Sequence, residues 1–221
     1  MDSLTRALPF GSQWSKVRVG IRCLHGLATA TPTPAEQVPL FFGLDSSAAA
    51  YGYPNTFNTV PTGVRALGLW VGNPHRTGVS NPHYDNTAAQ NLIIDQTEAT
   101  VIVSSQLSVT PYWTGATATN QVLVLEFTKG SSAITVDALF LNTTATAISE
   151  ATFDSVMAAD TMAAGLALLG VTYTLETHSI PGAIAREADG ALDRVCLSQS
   201  FNPAGSGQEV QMQKLAIRRL Y

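Results

Sequence analysis

Two histidines and an aspartate, His75, His83 and Asp85, fall within eleven positions, and the histidines close a repeated tripeptide, Asn73-Pro74-His75 and Asn81-Pro82-His83. Imidazole and carboxylate are good metal donors. The spacing matches no zinc motif, however, and Asn-Pro starts turns on its own account. No metal is expected, and the two turns read as exposed recognition loops, with Tyr84 beside the second. Glu126 and Asp137 could serve as the paired carboxylates of a glycosidase, but each sits inside an apolar strand pattern and is read as an outward or hydrogen-bonded strand residue. His25, His75, His83 and His178 could each act as base to one of seventeen serines, and only geometry can choose among such pairs. Gly205-Ser206-Gly207 lacks the strand-to-helix setting of a nucleophile elbow, and there is no phosphate loop or dinucleotide fingerprint. The expectation is a protein without enzymatic activity or cofactor.

Aromatic rings among turn residues offer a different chemistry. Tyr51, Tyr53 and Phe57 are spaced through the polar stretch Asp45–Gly63, and Trp113 lies in the turn-rich link Pro111–Asn120. A ring buries much area at little entropic cost, so these residues can form a sugar platform, meet a protein, or plug the end of a sandwich. Charge supplies the other candidates. Lys16, Arg18 and Arg22 share one face of an alternating segment, and Arg218 and Arg219 stand near the C-terminus. Residues 1–35 carry four cations against Asp2, whereas residues 36–185 carry three against eleven acids. Complementary ends can pair between subunits, so these five cations are the candidate subunit contacts. Without a Lys/Arg cluster or interleaved aromatics, direct nucleic-acid contact is not expected.

Strands must position these residues. Val122–Phe127 is apolar on both faces, as befits the middle of a packed sheet. Lys129–Ser132 breaks it, with Gly130 expected to supply a positive φ, and Ile134–Leu141 returns as the second strand of a hairpin. Ser15–Leu24 alternates Val17, Val19, Ile21 and Cys23 against Lys16, Arg18, Gly20 and Arg22, which predicts a half-buried strand with a solvated basic stripe. Further strands are expected at Val38–Leu44, Val64–Val71, within Asn91–Val109, and at Val171–Thr177, Leu192–Ser198 and Glu209–Tyr221, with a loop over Ile180–Gly190. One helix is expected from about Glu150 to Leu169, with Ser149 as N-cap and Gly170 beyond its end. Short strands at this spacing predict a mainly β, antiparallel β-sandwich or jelly-roll-like single domain over 1–221 with one packing helix, its N-terminal arm of about 25 residues engaged in subunit contacts.

Composition agrees. Charged residues make up 13% of the chain and apolar residues 45%, with 17 Gly and 11 Pro; small neutral residues replace the missing charge, which suits contact with other protein surfaces. Cys23 and Cys196 read as buried thiols, a disulfide requiring neighbouring strands. The start MDSLTRALPF has no apolar core of a signal peptide, and the longest apolar run, Val156–Val171, is broken by Asp160 and too short for a bilayer. A chain made soluble in the cytoplasm, without membrane contact, is expected.

Two stretches, LPFGSQWSKVRVGIR from Leu8 to Arg22 and VLVLEFTKGSSAITVDALFLN from Val122 to Asn142, resemble segments of minor virion proteins of tailed bacteriophages. The resemblance implies a β-rich subunit of a tail, neck, collar or head appendage, located in the virion and assembled with copies of itself and other virion proteins, without cofactor. It carries no functional residues across. The alternative from the residues themselves is a carbohydrate-binding β-sandwich using the aromatic loops, with a glycan as partner.

Overall fold

The chain is described by a computed structural model over residues 2–26, 40–46, 65–72, 90–97, 100–106, 119–142, 148–167, 173–186, 191–199 and 209–221. These hold strands β1 (Asp2–Ala7), β2 (Lys16–Gly26), β3 (Leu40–Asp45), β4 (Arg65–Gly72), β5 (Gln90–Thr97), β6 (Thr100–Gln106), β7 (Thr119–Lys129) and β8 (Ala133–Asn142). After α1 (Glu150–Ala158) and α2 (Met162–Ala167) come β9 (Thr174–Pro181), α3 (Ala183–Arg186), β10 (Arg194–Gln199) and β11 (Glu209–Leu220). One sheet has the order β1-β10-β3-β4-β5-β6 and the other β11-β2-β7-β8-β9, with antiparallel neighbours throughout. The expected antiparallel β-sandwich is what forms.

The hairpin of β7 and β8 is central to the second sheet because it is apolar on both faces. Leu123, Leu125 and Phe127 meet Phe42, Leu44, Leu67, Leu69 and Ile93 of the first sheet in the main core. Val122, Val124 and Leu139 face the other way, onto Phe153, Val156, Met157, Met162 and Leu166. The architecture is therefore sheet, sheet and helical layer. The hairpin closes with Gly130 N–H donating to Ala133 O at 2.8 Å. Gly130 does not take the expected positive φ; among described glycines that conformation belongs to Gly11 and Gly182.

The helical layer departs from expectation. One helix was expected to about Leu169, but Ala159 turns extended at φ −65°, ψ 147°, and α2 restarts under the side chain of Thr161, whose Oγ1 accepts from Ala164 N–H at 3.1 Å. Ser149 does cap α1, accepting from Thr152 N–H at 3.1 Å. The break shifts the phase of the buried face, so Met162, Gly165 and Leu166 are buried and Ala164 is exposed. Gly165 lets α2 approach α1, since a Cβ there would stand 3.0 Å from the Ala159 Cβ. Residues 168–172, including Gly170, lie outside the described residues.

Three local expectations also change. Asp2–Ala7 is a strand paired with β10, although its pattern did not announce one. The stretch expected to be a loop from Ile180 holds the end of β9 and the short helix α3. Tyr173 and Leu175, on the apolar side of the alternating segment, are exposed because β9 is a sheet edge that the helices do not cover. Cys196 is buried and free, and β2 and β10, the strands of the two cysteines, lie in different sheets. No described helix is long and apolar enough to cross a membrane.

Candidate functional site

The basic stripe of β2 is not solvated. Gly20 creates the close approach that covers it, because a Cβ there would stand 2.6 Å from Met157 Sδ and 3.1 Å from the Phe153 ring. Under α1, Arg18 is fully buried and directly opposite Glu126 on β7; its Nε donates to Glu126 Oε2 at 2.7 Å. Its Nη1 donates to Val156 O at 2.7 Å and Ala159 O at 2.8 Å. Lys16 reaches the other oxygen of Glu126 at 2.6 Å. Arg22 donates to Ile148 O at 2.7 Å, and Arg218 on β11 donates to Met157 O at 3.1 Å and Ala159 O at 3.0 Å. The last turn of α1 has no basic residue of its own. Its orphan carbonyls and the negative end of its dipole are answered by arginines from two strands. Arg219 stacks on Tyr221 at 5.2 Å and Phe10 at 5.7 Å.

These contacts correct the expectation of an outward basic face. Arg18 has no surface to offer a subunit, and Arg22 and Arg218 are half-buried with their donors on main-chain carbonyls. Lys214 bridges Glu150 and Asp154 at the rim, and its hydrogen bonds to Asp154 and then Glu150 hold its ammonium above the usual lysine range.

A second polar group lies along the open side of the sandwich, where β6 and β9 are the edge strands. Asp95 on β5 and Arg65 on β4 face the space between the sheets, since they share a face with the core residues Ile93 and Leu67 and alternate with Ile94 and Ala66, which are buried on the sheet's other face. Both are fully buried. Arg65 Nε and Nη2 each donate to Asp95 Oδ1 at 3.2 Å, while Arg186 at the end of α3 donates from Nε to Asp95 Oδ2 at 2.9 Å and from Nη2 to Pro181 O at 2.9 Å. Gly182, at φ 71°, makes the turn that brings α3 back over this carboxylate. One aspartate thus binds Arg65 within its own sheet and, through Arg186, the α3 turn that follows β9 of the other.

Further along the same side, Ser105 Oγ lies 2.7 Å from His178 Nδ1 across 73 positions of sequence. The imidazole is mostly buried, with its side chain 13% exposed, and Nε2 has no hydrogen-bond partner but stands 3.6 Å from Glu176 Oε2. Glu176 and His178 are two apart on β9 and share a face; Ser105, paired with Ile93, looks inward from β6. Of the carboxylate pair considered for glycosidase chemistry, Glu126 and Asp137 are cross-strand partners. Glu126 is held by Arg18 and Lys16, while Asp137 accepts from Thr177 Oγ1 at 2.6 Å. Both act within the strand framework, as their setting suggested. On the far face of the six-stranded sheet, burial, and after it the charge of Asp45, push the Cys196 thiol well above its ordinary range.

The recognition candidates Tyr51, Tyr53, Phe57, His75, His83, Tyr84 and Trp113, with Asp85, lie outside the described residues. Their flanking strand ends are described. Gly72 pairs with Gln90 and Leu92 with Gln106, so segments 73–89 and 107–118 are both rooted at one end of the six-stranded sheet. Segment 47–64 starts and ends at the other, where Asp45 pairs with Ala66. Among the described residues no group of three His, Cys, Asp or Glu could hold a metal. Sequence reasoning missed Asp95, Arg65, Arg186, Ser105 and Glu176. The signal for Asp95 was a carboxylate inside the apolar run Leu92–Asp95, which demands a buried partner.

No family model matches the chain, and no curated protein matches it. Solved structures with a similar path include a toad ovary galectin in complex with thio-digalactose, 8% identical with a TM-score of 0.40 and 99% of both chains covered. Another is the lectin UEA-II complexed with galactose, 8% identical with a TM-score of 0.47, covering 99% of this chain and 78% of that one.

Proposed function

We propose that this chain is a recognition module, a β-sandwich that binds carbohydrate at the end of its six-stranded sheet. The observation that carries the reading is the common root of segments 73–89 and 107–118, set by the pairing of Gly72 with Gln90 and Leu92 with Gln106. Those segments contain Tyr84 and Trp113, whose rings suit the apolar face of a pyranose, beside Asn73, His75, Asn81, His83 and Asp85, which suit its hydroxyls. Tyr51, Tyr53 and Phe57 belong to a segment whose flanking strand ends lie at the opposite end of the sheet. The virion-subunit reading implied by the two resembling stretches keeps Lys16 and Arg219 as candidate contacts, while Arg18, Arg22 and Arg218 are bound within the fold.

A glycan array probed with the purified chain tests the proposal. Retention of at least one sugar is expected, with affinity falling about tenfold or more in Trp113→Ala or Tyr84→Ala, equivalent to roughly 1.4 kcal/mol. Absence of any bound sugar, together with recovery of the chain from assembled particles, overturns it in favour of the subunit reading.

A further inference from the structure

We infer that Ser105 is a nucleophile with His178 as its general base and Glu176 as the positioning residue, able to take an acyl group from an ester at the open side between β6 and β9. This goes beyond the recognition surface and rests on different residues. A serine and its base act together when they lie within hydrogen-bond reach and a third group orients the base. The 2.7 Å contact of Ser105 Oγ with His178 Nδ1 satisfies the first condition, and the Glu176 carboxylate, 3.6 Å from Nε2 and not hydrogen-bonded to it, is the third group beside the base.

We assign one tautomer to the ring. With Nδ1 accepting from the Ser105 hydroxyl, the ring proton sits on Nε2, on the side of Glu176. A clasp that merely held two sheets would be expected to satisfy Nε2 with a hydrogen bond, yet that nitrogen is buried without one. It faces a carboxylate whose attraction grows only when the ring becomes an imidazolium. Such an interaction is stronger after proton transfer than before, which is the condition for it to accelerate a reaction. Little solvent screens the two groups, as the side chains of His178 and Glu176 are 13% and 16% exposed. Ser105 itself is half-buried.

The step balances without a co-reactant other than water. Ser105 Oγ bonds to the ester carbonyl carbon while its proton passes to His178 Nδ1. The tetrahedral intermediate then breaks the bond to the alcohol oxygen, and the alcohol leaves with that proton. Water attacks the acyl-Ser105 ester by the same route and restores the hydroxyl.

The test uses the whole chain with a fluorophosphonate probe, which forms a P–O bond to a reactive serine and releases fluoride, followed by peptide mass mapping. The expected result is one modified residue, Ser105, labelled at least tenfold faster than any serine of the heat-unfolded chain. His178→Gln should slow it about 10²-fold or more, the usual contribution of a general base. Glu176→Gln should slow it less and leave the melting temperature unchanged. If Ser105→Ala lowers stability, Ser105→Cys is the second variant, and its thiol should react with iodoacetamide far faster than Cys196 in the same folded chain. Labelling absent from Ser105, or equally fast in His178→Gln, overturns the inference. Neither outcome bears on sugar binding.

Discussion

Arg18 and Glu126 are direct partners across β2 and β7, with the guanidinium Nε 2.7 Å from the carboxylate and Nη1 on the carbonyls that end α1. The pair sits between the second sheet and the helical layer. It joins three elements that are far apart in sequence, and it converts a stripe that reads as surface into an internal fastening.

Breaking this pair from one side should be costly. Arg18→Ala leaves the buried Glu126 carboxylate with Lys16 alone and takes the guanidinium donor from Val156 O, and a loss of about 3–5 kcal/mol is expected in urea unfolding. Glu126→Leu combined with Arg18→Met should recover more than half of that loss, since well-packed apolar residues often replace buried ion pairs without penalty. Arg18→Glu is expected to unfold the chain by setting two carboxylates against each other. A folded, stable Arg18→Glu protein would refute the internal role.

Asp95 offers the parallel case in the first sheet. Asp95→Ala strands Arg65, which is fully buried, and frees Arg186 at the end of α3. The expected loss is again about 3–5 kcal/mol, whereas Arg186→Ala, at the more exposed end of the network, should cost less. Hydrogen exchange should show β9 and α3 opening first in Arg186→Ala. Equal costs for the two variants would argue against Asp95 as the common anchor.

The Cys196 thiol should be inert in the folded chain. Burial, helped by Asp45, raises its pKa, so the folded state holds the proton at pH values where an unfolded thiol, near 9, releases it. The folded state then binds more protons than the unfolded state, and stability falls as pH rises past 9, by up to about 1.4 kcal/mol per pH unit from this group. Below that range the group contributes no pH dependence. Peptide-resolved iodoacetamide labelling at pH 8 should modify Cys196 only after unfolding, and rapid native labelling would contradict the burial argument.

Much of the sandwich was legible because sheet-forming patterns are local. The two-sided apolar run of β7, the one-sided alternation of β2 and the Ser149 cap each announce an element within a dozen residues. The break at Ala159 was less legible, since only Asp160 interrupts an otherwise helical alanine-rich pattern. Strand β1 was not legible, because Asp2–Ala7 has no clean period and is held by its pairing with β10.

By itself, then, the sequence determined which faces of β2, β7 and β8 are apolar, and hence that two sheets must close over a common core. Tertiary structure alone decided which polar side chains are internal. Alternation tells that Arg18 and Val17 point to opposite faces, but not that a helix 130 residues later will roof the arginine. In the same way, nothing in the local order of residues brings Ser105 to His178 or Asp95 to Arg186. A buried polar group must be answered by a partner, and that partner can come from any part of the chain that the fold carries to it.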